Sequence, residues 1–241
     1  YENDYSDSNV NDRQDFEGLR AGLFFDGQNL NAGPISDYHL EVAALDGDLN
    51  TTQSNGLRES GDKQGWAVVG DIGKRFDTLP WTPRVALTAG ITDRPDDSGN
   101  DGFNLNRIQS DRRNDPLSYS SRLVSNLVGV NLSNLAFYGV ALETQPTDRT
   151  ALDFRLSDLR LRNSTAQLPL RTTTEGEVRD TRSSHLGQAL DINHYWRMFP
   201  LAYDGKRVQL NTLTSLSYFR AGSALEIGDD YQLTLGVTLS Y

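Results

Sequence analysis

The residues with the most chemistry to offer are arginines. Arg20, Arg75, Arg84, Arg155 and Arg197 each sit on the polar side of a stretch in which apolar and polar residues alternate. Arg94, Arg107, Arg112, Arg113 and Arg122 crowd the segment 93–134, which has few large apolar residues before Leu123. A guanidinium is a permanent cation whose planar fork holds a carboxylate through two parallel hydrogen bonds. Such a set binds and guides anions, uronic-acid sugars among them. Groups that could make or break bonds are sparse. The absence of Cys removes thiol nucleophiles, disulfide frameworks and cysteine zinc sites. His39, His185 and His194 are scattered, with neither metal spacing nor the order of a triad. Asp96, Asp97, Asn100 and Asp101, with Gly99 and Gly102, match a calcium loop only loosely, because the EF-hand spacing is missing. Gly70 and Gly73 lie within a strand pattern and form no phosphate loop. No cofactor and no metal are expected.

The scaffold that must position these arginines has a period of two. In Tyr231–Tyr241, Tyr231, Leu233, Leu235, Val237, Leu239 and Tyr241 alternate strictly with Gln232, Thr234, Gly236, Thr238 and Ser240. The last strand of a soluble sandwich alternates too, but averages about five or six residues. Nine to eleven residues is roughly the length that crosses a bilayer at a tilt, with aromatic ends at the two interfaces. The pattern recurs in Phe16–Asp26, Asp37–Asp46, Gly65–Phe76, Pro83–Thr92, Leu135–Thr144, Ala151–Arg162, Gly187–Met198 and, blurred around Leu213, in Arg207–Phe219. These are nine strands, and no stretch carries a helical period.

The connectors alternate in length. Gly27–Ser36, Asp77–Thr82, Gln145–Thr150 and Phe199–Lys206 are short; Gly47–Gln64, Asp93–Asn134, Asn163–Leu186 and Arg220–Asp230 are long. Short periplasmic turns and long extracellular loops are the habit of outer-membrane barrels. The expected fold is therefore all-β, a transmembrane antiparallel β-barrel of the bacterial outer membrane, with residues 1–241 as one domain. Segment 93–134 is a long extracellular loop that can fold into the pore and narrow it. A complete bacterial barrel has an even strand count with both ends in the periplasm. Nine strands starting outside suggest the C-terminal part of a longer protein. A tenth strand in Ser121–Asn131 is the alternative, and it would break the alternation of connectors.

Charge narrows the function. The 241 residues carry a net charge of −10, which disfavours nucleic acid as a partner. Much of that acidity lies in loops, as in Asp93, Asp96, Asp97, Asp101, Asp229 and Asp230. On the polar strand faces the five arginines stand against Glu41, Asp71, Asp153 and Asp191, a surplus of one positive charge. A polar face of this kind reads as a water-filled lumen, where arginines favour anions and opposing acids let a bound anion leave. Structural ion pairs within the lumen wall are the competing explanation. A rim hydrolase would need an Asp–His pair brought together by folding.

Several stretches also resemble one family. They are Leu132-Ser133-Asn134-Leu135 at a strand entry and Leu186-Gly187-Gln188-Ala189-Leu190-Asp191-Ile192, with Ala189 where the family usually has Glu. The acidic-glycine run Asp96–Gly102, the run Phe103…Gln109-Ser110…Arg112 and Tyr218-Phe219-Arg220-Ala221-Gly222 follow the same order. From about Asp93 to the C-terminus the chain is similar to the alginate-export outer-membrane porins. The resemblance implies an 18-stranded monomeric barrel exporting an anionic polysaccharide through an Arg-lined constriction, of which nine strands would be the C-terminal half. It marks Arg112 and Arg220 as substrate-contacting; position adds Arg107, Arg113, Arg155, Arg197, Arg75 and Arg84. The short last turn, Phe199–Lys206, and the terminal Tyr241 in place of Phe depart from the family.

The expected function is passive export or diffusion of an alginate-like polysaccharide or another anionic solute, with anion selectivity. The expected partners are outer-membrane lipid and lipopolysaccharide, the polysaccharide or small anions, and the barrel-assembly machinery through Tyr241. A structural or adhesive barrel binding partners through its acidic loops is the alternative.

Overall fold

In a computed structural model, residues 13–30, 33–52, 58–96, 102–103, 132–166, 182–203, 206–225 and 228–240 are described. Among them run nine strands: β1 (Arg13–Gly27), β2 (Asp37–Thr52), β3 (Arg58–Arg75), β4 (Arg84–Thr92), β5 (Leu135–Thr147), β6 (Thr150–Leu161), β7 (His185–Tyr203), β8 (Lys206–Ala221) and β9 (Asp230–Ser240). They form one antiparallel sheet in chain order, so every strand pairs only with its sequence neighbours. β1 and β9 are its two edges. The alternative tenth strand, Ser121–Asn131, lies outside the described residues.

Each strand turns one set of side chains to each face, and the burial pattern separates them sharply. In β4, Arg84, Ala86, Thr88, Gly90 and Thr92 are buried while Val85, Leu87 and Ala89 are exposed. The pairing register carries this division across the sheet. One face exposes Leu19, Leu23 and Phe25 of β1, Leu40 and Val42 of β2, Val140 and Leu142 of β5, Phe154 and Leu156 of β6, and Leu233, Leu235 and Val237 of β9. A continuous apolar surface of this extent far exceeds what a water-soluble protein leaves bare, and its natural solvent is hydrocarbon. Trp66, Trp81, Trp196 and Tyr231 stand on or beside it.

The other face is divided along its length. Towards the long connectors it is apolar: Leu45, Ala67, Val69, Leu135, Phe137, Leu159, Leu186 and Phe219 cluster with Phe103 and Leu132 from segment 93–134. Towards the short turns it is polar and charged.

Phe103 reaches this face because of a glycine on β3. The amide of Gly102 donates to the Gln64 carbonyl (3.0 Å), and that of Phe103 to an Asp93 carboxylate oxygen (2.9 Å). The chain there lies flat against Gly65, where a Cβ would collide with the backbone of Gly102 and Phe103. Gly102 itself has φ +91°, which an L side chain rarely adopts. Overpacking costs about 1–3 kcal/mol. In this cysteine-free chain a Phe103→Cys thiol is therefore expected to react with a maleimide roughly tenfold faster once Gly65→Ala is added, since about 1.4 kcal/mol is a factor of ten. Equal rates would mean that the contact does not hold the segment to the wall.

The start of β5 is fixed by a reciprocal amide pair. Asn134 has φ +48°, and its side chain donates to the Asn163 carbonyl (2.8 Å) and accepts from the Asn163 amide (2.7 Å). Asn163 also donates to the Pro95 carbonyl (3.0 Å). The Leu132–Leu135 stretch is thus a collar joining the ends of β4, β5 and β6.

The expected connectors need correction on both sides: the short connector Phe199–Lys206 is strand up to Tyr203 and again from Lys206. Gly47–Gln64 is strand for most of its length: Gly47 pairs Lys63 and Thr52 pairs Arg58, leaving 53–57 between. Both faces of this part are polar, so backbone pairing continues where no hydrophobic alternation announces it.

Candidate functional site: a charged inner wall

Two arginines organise the polar half of the inner face. Register lines up Arg75, Arg84, Glu143, Asp153, Asn193 and Ser215 in one row across β3 to β8. The next row holds Asp37, Gly73, Ala86, Ala141, Arg155, Asp191 and Ser217.

The Arg84 side chain is fully buried (0% exposed) and bridges three strands. Its Nε donates to both carboxylate oxygens of Asp37 (3.1 Å each), and Nη2 to Asp37 Oδ1 (2.5 Å) and Asp71 Oδ1 (3.0 Å). Its Nη1 donates to Glu143 Oε1 (3.1 Å). Gly73 makes room: a Cβ there would run into the guanidinium. Arg155, 5% exposed, lies 3.8 Å from both Glu143 Oε1 and Asp153 Oδ2, so Glu143 links the two cations. Asn193 donates to Asp153 Oδ2 (3.3 Å) and Ser217 Oγ to Asp191 Oδ1 (2.5 Å). Two planar cations thus hold a belt of carboxylates in fixed geometry. Each guanidinium is shared among several acids.

The expected site residues are distributed unevenly around this belt. Arg75, Arg84, Arg155 and Arg197 lie on the inner face, with Arg20 on the same face near the β1 edge. Arg107, Arg112 and Arg113 lie outside the described residues. Arg220 is on the opposite face. It pairs with Gln188, is exposed, and shares its side of β8 with Leu216 and Tyr218. The reason is local. β8 turns Leu213 and Phe219 inward and Thr212 and Thr214 outward, so its hydrophobic alternation gives no phase.

Asp37 and Glu143 were missed as wall residues, and with them the surplus of positive charge on this face disappears. Glu143 could have been found, because it follows Leu135, Phe137 and Ala141 at steps of two. So could Asp37, which opens the expected strand two residues before His39 and four before Glu41 on the same face.

Folding also brings together two Asp–His pairs that the sequence scatters. His39 Nδ1 meets Asp26 on the inner face of β1 and β2, and His185 Nε2 lies 3.1 Å from Asp158 on the outer face. The two pairs are on opposite sides of the sheet. Among the described residues no group of three His, Asp or Glu is arranged to hold a metal. Of the loose calcium pattern, Asp97, Asn100 and Asp101 lie outside the described residues.

A family model described as alginate export matches residues 2–237, essentially the whole chain. The chain belongs to the alginate-export family. No curated protein matches it. The family is one of transport, and it points to an outer-membrane polysaccharide export channel. The all-β fold of this alginate-export protein, one open antiparallel sheet with an apolar outer face and an inner face part apolar and part charged, fits a β-barrel family.

Proposed function

We propose that this alginate-export chain forms one arc of a monomeric outer-membrane barrel through which an alginate-like polysaccharide, or a smaller anionic solute, diffuses passively. No bond is made or broken. The observation that carries this reading is the two-faced sheet, exposed and apolar on one side and lined by shared Arg–carboxylate contacts on the other, in a chain that the export family matches over residues 2–237.

Closure of the barrel follows from strand direction. β1 and β9 are both odd-numbered in an antiparallel sheet and so run the same way. Pairing them directly would be parallel. An odd number of further strands between them keeps every pair antiparallel, and nine more make an 18-stranded barrel of even count. In that barrel the long connectors lie outside the cell and the short turns in the periplasm, where Tyr241 is presented to the assembly machinery.

The wall suits a polymer that must enter and leave. Arg20, Arg75 and Arg197 offer inward cations beyond the belt, and Arg107, Arg112 and Arg113 extend the set within segment 93–134, which narrows the passage. Carboxylates already seated on Arg84 and Arg155 keep uronate binding weak and many-sited, the condition for conduction.

Single-channel recording of the full-length protein in planar bilayers, with polyuronate titrated in, tests this. The expected result is anion preference and block by the polymer. Arg75→Glu with Arg197→Glu is expected to weaken block by roughly tenfold, equivalent to about 1.4 kcal/mol. Arg220→Glu, on the other face, is expected to leave block unchanged. A closed bilayer, or block indifferent to the inward pair, would overturn the reading.

A further inference from the structure

The outer face carries a charged row at the long-connector end that the transport reading does not use. Tyr138, Asp158, Gln188 and Arg220 are successive register partners across β5 to β8, and Arg160 pairs with His185 one row beyond. Towards the short turns the same face turns apolar at once, with Val140, Leu156, Leu190 and Tyr218, then Leu142, Phe154, Ile192 and Leu216. The charged row therefore stands where hydrocarbon gives way to headgroups. A cation on the lipid side of a barrel is costly at the bilayer midplane and tolerated at the interface.

The acids in this row are already engaged. Asp158 accepts from Arg160 Nε (2.9 Å) and Gln188 Nε2 (3.4 Å) and meets His185 Nε2 (3.1 Å). Asp229 accepts from the Tyr218 hydroxyl (2.6 Å) and the Ala221 amide (3.2 Å). The cations have donors to spare. Arg160 spends Nε on Asp158 and also interacts with the Tyr138 hydroxyl, with its side chain still 53% exposed. Arg220 is exposed, and no hydrogen bond or ion pair engages it among the described residues. One strand, β7, lies between them, and Arg160 sits one row further along, so two strand spacings near 4.8 Å and a two-residue rise put their backbones about 12 Å apart. Two guanidiniums at that spacing, both at headgroup depth and both facing the membrane, suit an anion too large for either alone.

We infer that Arg160 and Arg220, with Gln188 between them, hold a phosphorylated glycolipid headgroup of the outer leaflet against the barrel. This rests on the proposed orientation, with long connectors outside the cell. The phosphate oxygens take the guanidinium donors, and the acyl chains run down over Leu190, Leu216 and Phe154. Arg220, which resembles a substrate contact in sequence, thus binds the membrane rather than the polymer.

Native mass spectrometry of the full-length protein, folded in detergent and titrated with lipid A, tests the inference. Wild type is expected to retain lipid A. Its dephosphorylated form is expected to bind at least about tenfold more weakly, and Arg160→Gln with Arg220→Gln to lose a similar factor. Millimolar inorganic phosphate is expected not to compete, which separates a headgroup site from a free-phosphate site. Arg220→Lys is expected to recover part of the loss. Heat-modifiable migration on gels checks that each variant is folded. Orientation is read independently from Ser223→Cys, which an impermeant maleimide is expected to label on intact cells. Undiminished lipid A binding by the folded double variant would overturn the inference with orientation and transport untouched. Competition by free phosphate would overturn the lipid source. Failure to label Ser223→Cys would overturn the orientation, and the inference with it.

Discussion

Replacing Arg84 by methionine is expected to lower the stability of the folded protein by roughly 3–5 kcal/mol. The side chain is fully buried, and its guanidinium is the common partner of Asp37, Asp71 and Glu143. Methionine has similar length but no charge, so the three carboxylates lose their shared cation and face one another across β2, β3 and β5. Glu143→Gln in the same chain is expected to recover part of the loss by removing one of the repelling charges. Arg20→Met, at the exposed β1 edge, is expected to cost no more than about 1 kcal/mol, as exposed ion pairs do. Reversible guanidinium unfolding from lipid vesicles measures all three. A cost below about 1 kcal/mol for Arg84→Met would show that water replaces the guanidinium with little penalty, as in an open lumen. The belt would then be a solvated surface rather than a braced wall.

The wide gap expected between Arg84 and Arg20 also shows why part of the site was hidden from the sequence. Both arginines alternate with apolar neighbours, and both are correctly placed on the polar face by that pattern. Whether a cation on that face is a structural brace or a solvated lining residue depends on what stands opposite it. That is a matter of register across strands far apart in sequence: Arg84 finds Glu143 59 residues on and Asp37 47 residues back. Alternation within one strand says nothing about either partner.

The strands themselves were legible where one face is apolar and the other is not. Leu135, Asp37 and Thr92 are strand ends in the expectation and in the structure alike. The expectation stopped short where strands run past the apolar band. β2 continues to Thr52, β3 begins at Arg58 and β7 reaches Tyr203. In the β2 and β3 extensions polar residues predominate on both faces, while the β7 extension Phe199–Tyr203 is apolar without alternation; in each, backbone pairing marks the strand. Arg220 is marked by the family resemblance, and alternation alone does not assign its face. Inward Leu213 and Phe219 on β8, set against outward Thr212 and Thr214, leave the two phases equally hydrophobic. The identity of the outer face then had to come from pairing with Gln188 on β7.

The division between faces makes its largest testable difference on a single strand. On β9, Leu235 and Thr234 are neighbours pointing opposite ways, Leu235 towards the membrane side midway between Tyr231 and Leu239. Leu235→Arg is expected to cost roughly 2–4 kcal/mol, the penalty for an arginine facing lipid near the bilayer midplane. Tyr231→Arg, on the same face at the strand end, is expected to cost about 0–1 kcal/mol, because there the guanidinium reaches headgroups. Thr234→Arg adds the same charge one residue away but towards the interior. Its expected stability change is within about 0.5 kcal/mol, typical of a solvated surface position, and its effect belongs on conductance instead. Vesicle-based unfolding of the three variants orders them Leu235, then Tyr231, then Thr234. Equal penalties at Leu235 and Thr234 would mean that both faces see the same solvent, which a sheet dividing lipid from a water-filled passage cannot allow. A penalty at Tyr231 matching that at Leu235 would place the strand end inside the hydrocarbon. The interface would then lie beyond Asp230, and the charged row at Arg160 and Arg220 would no longer sit at headgroup depth.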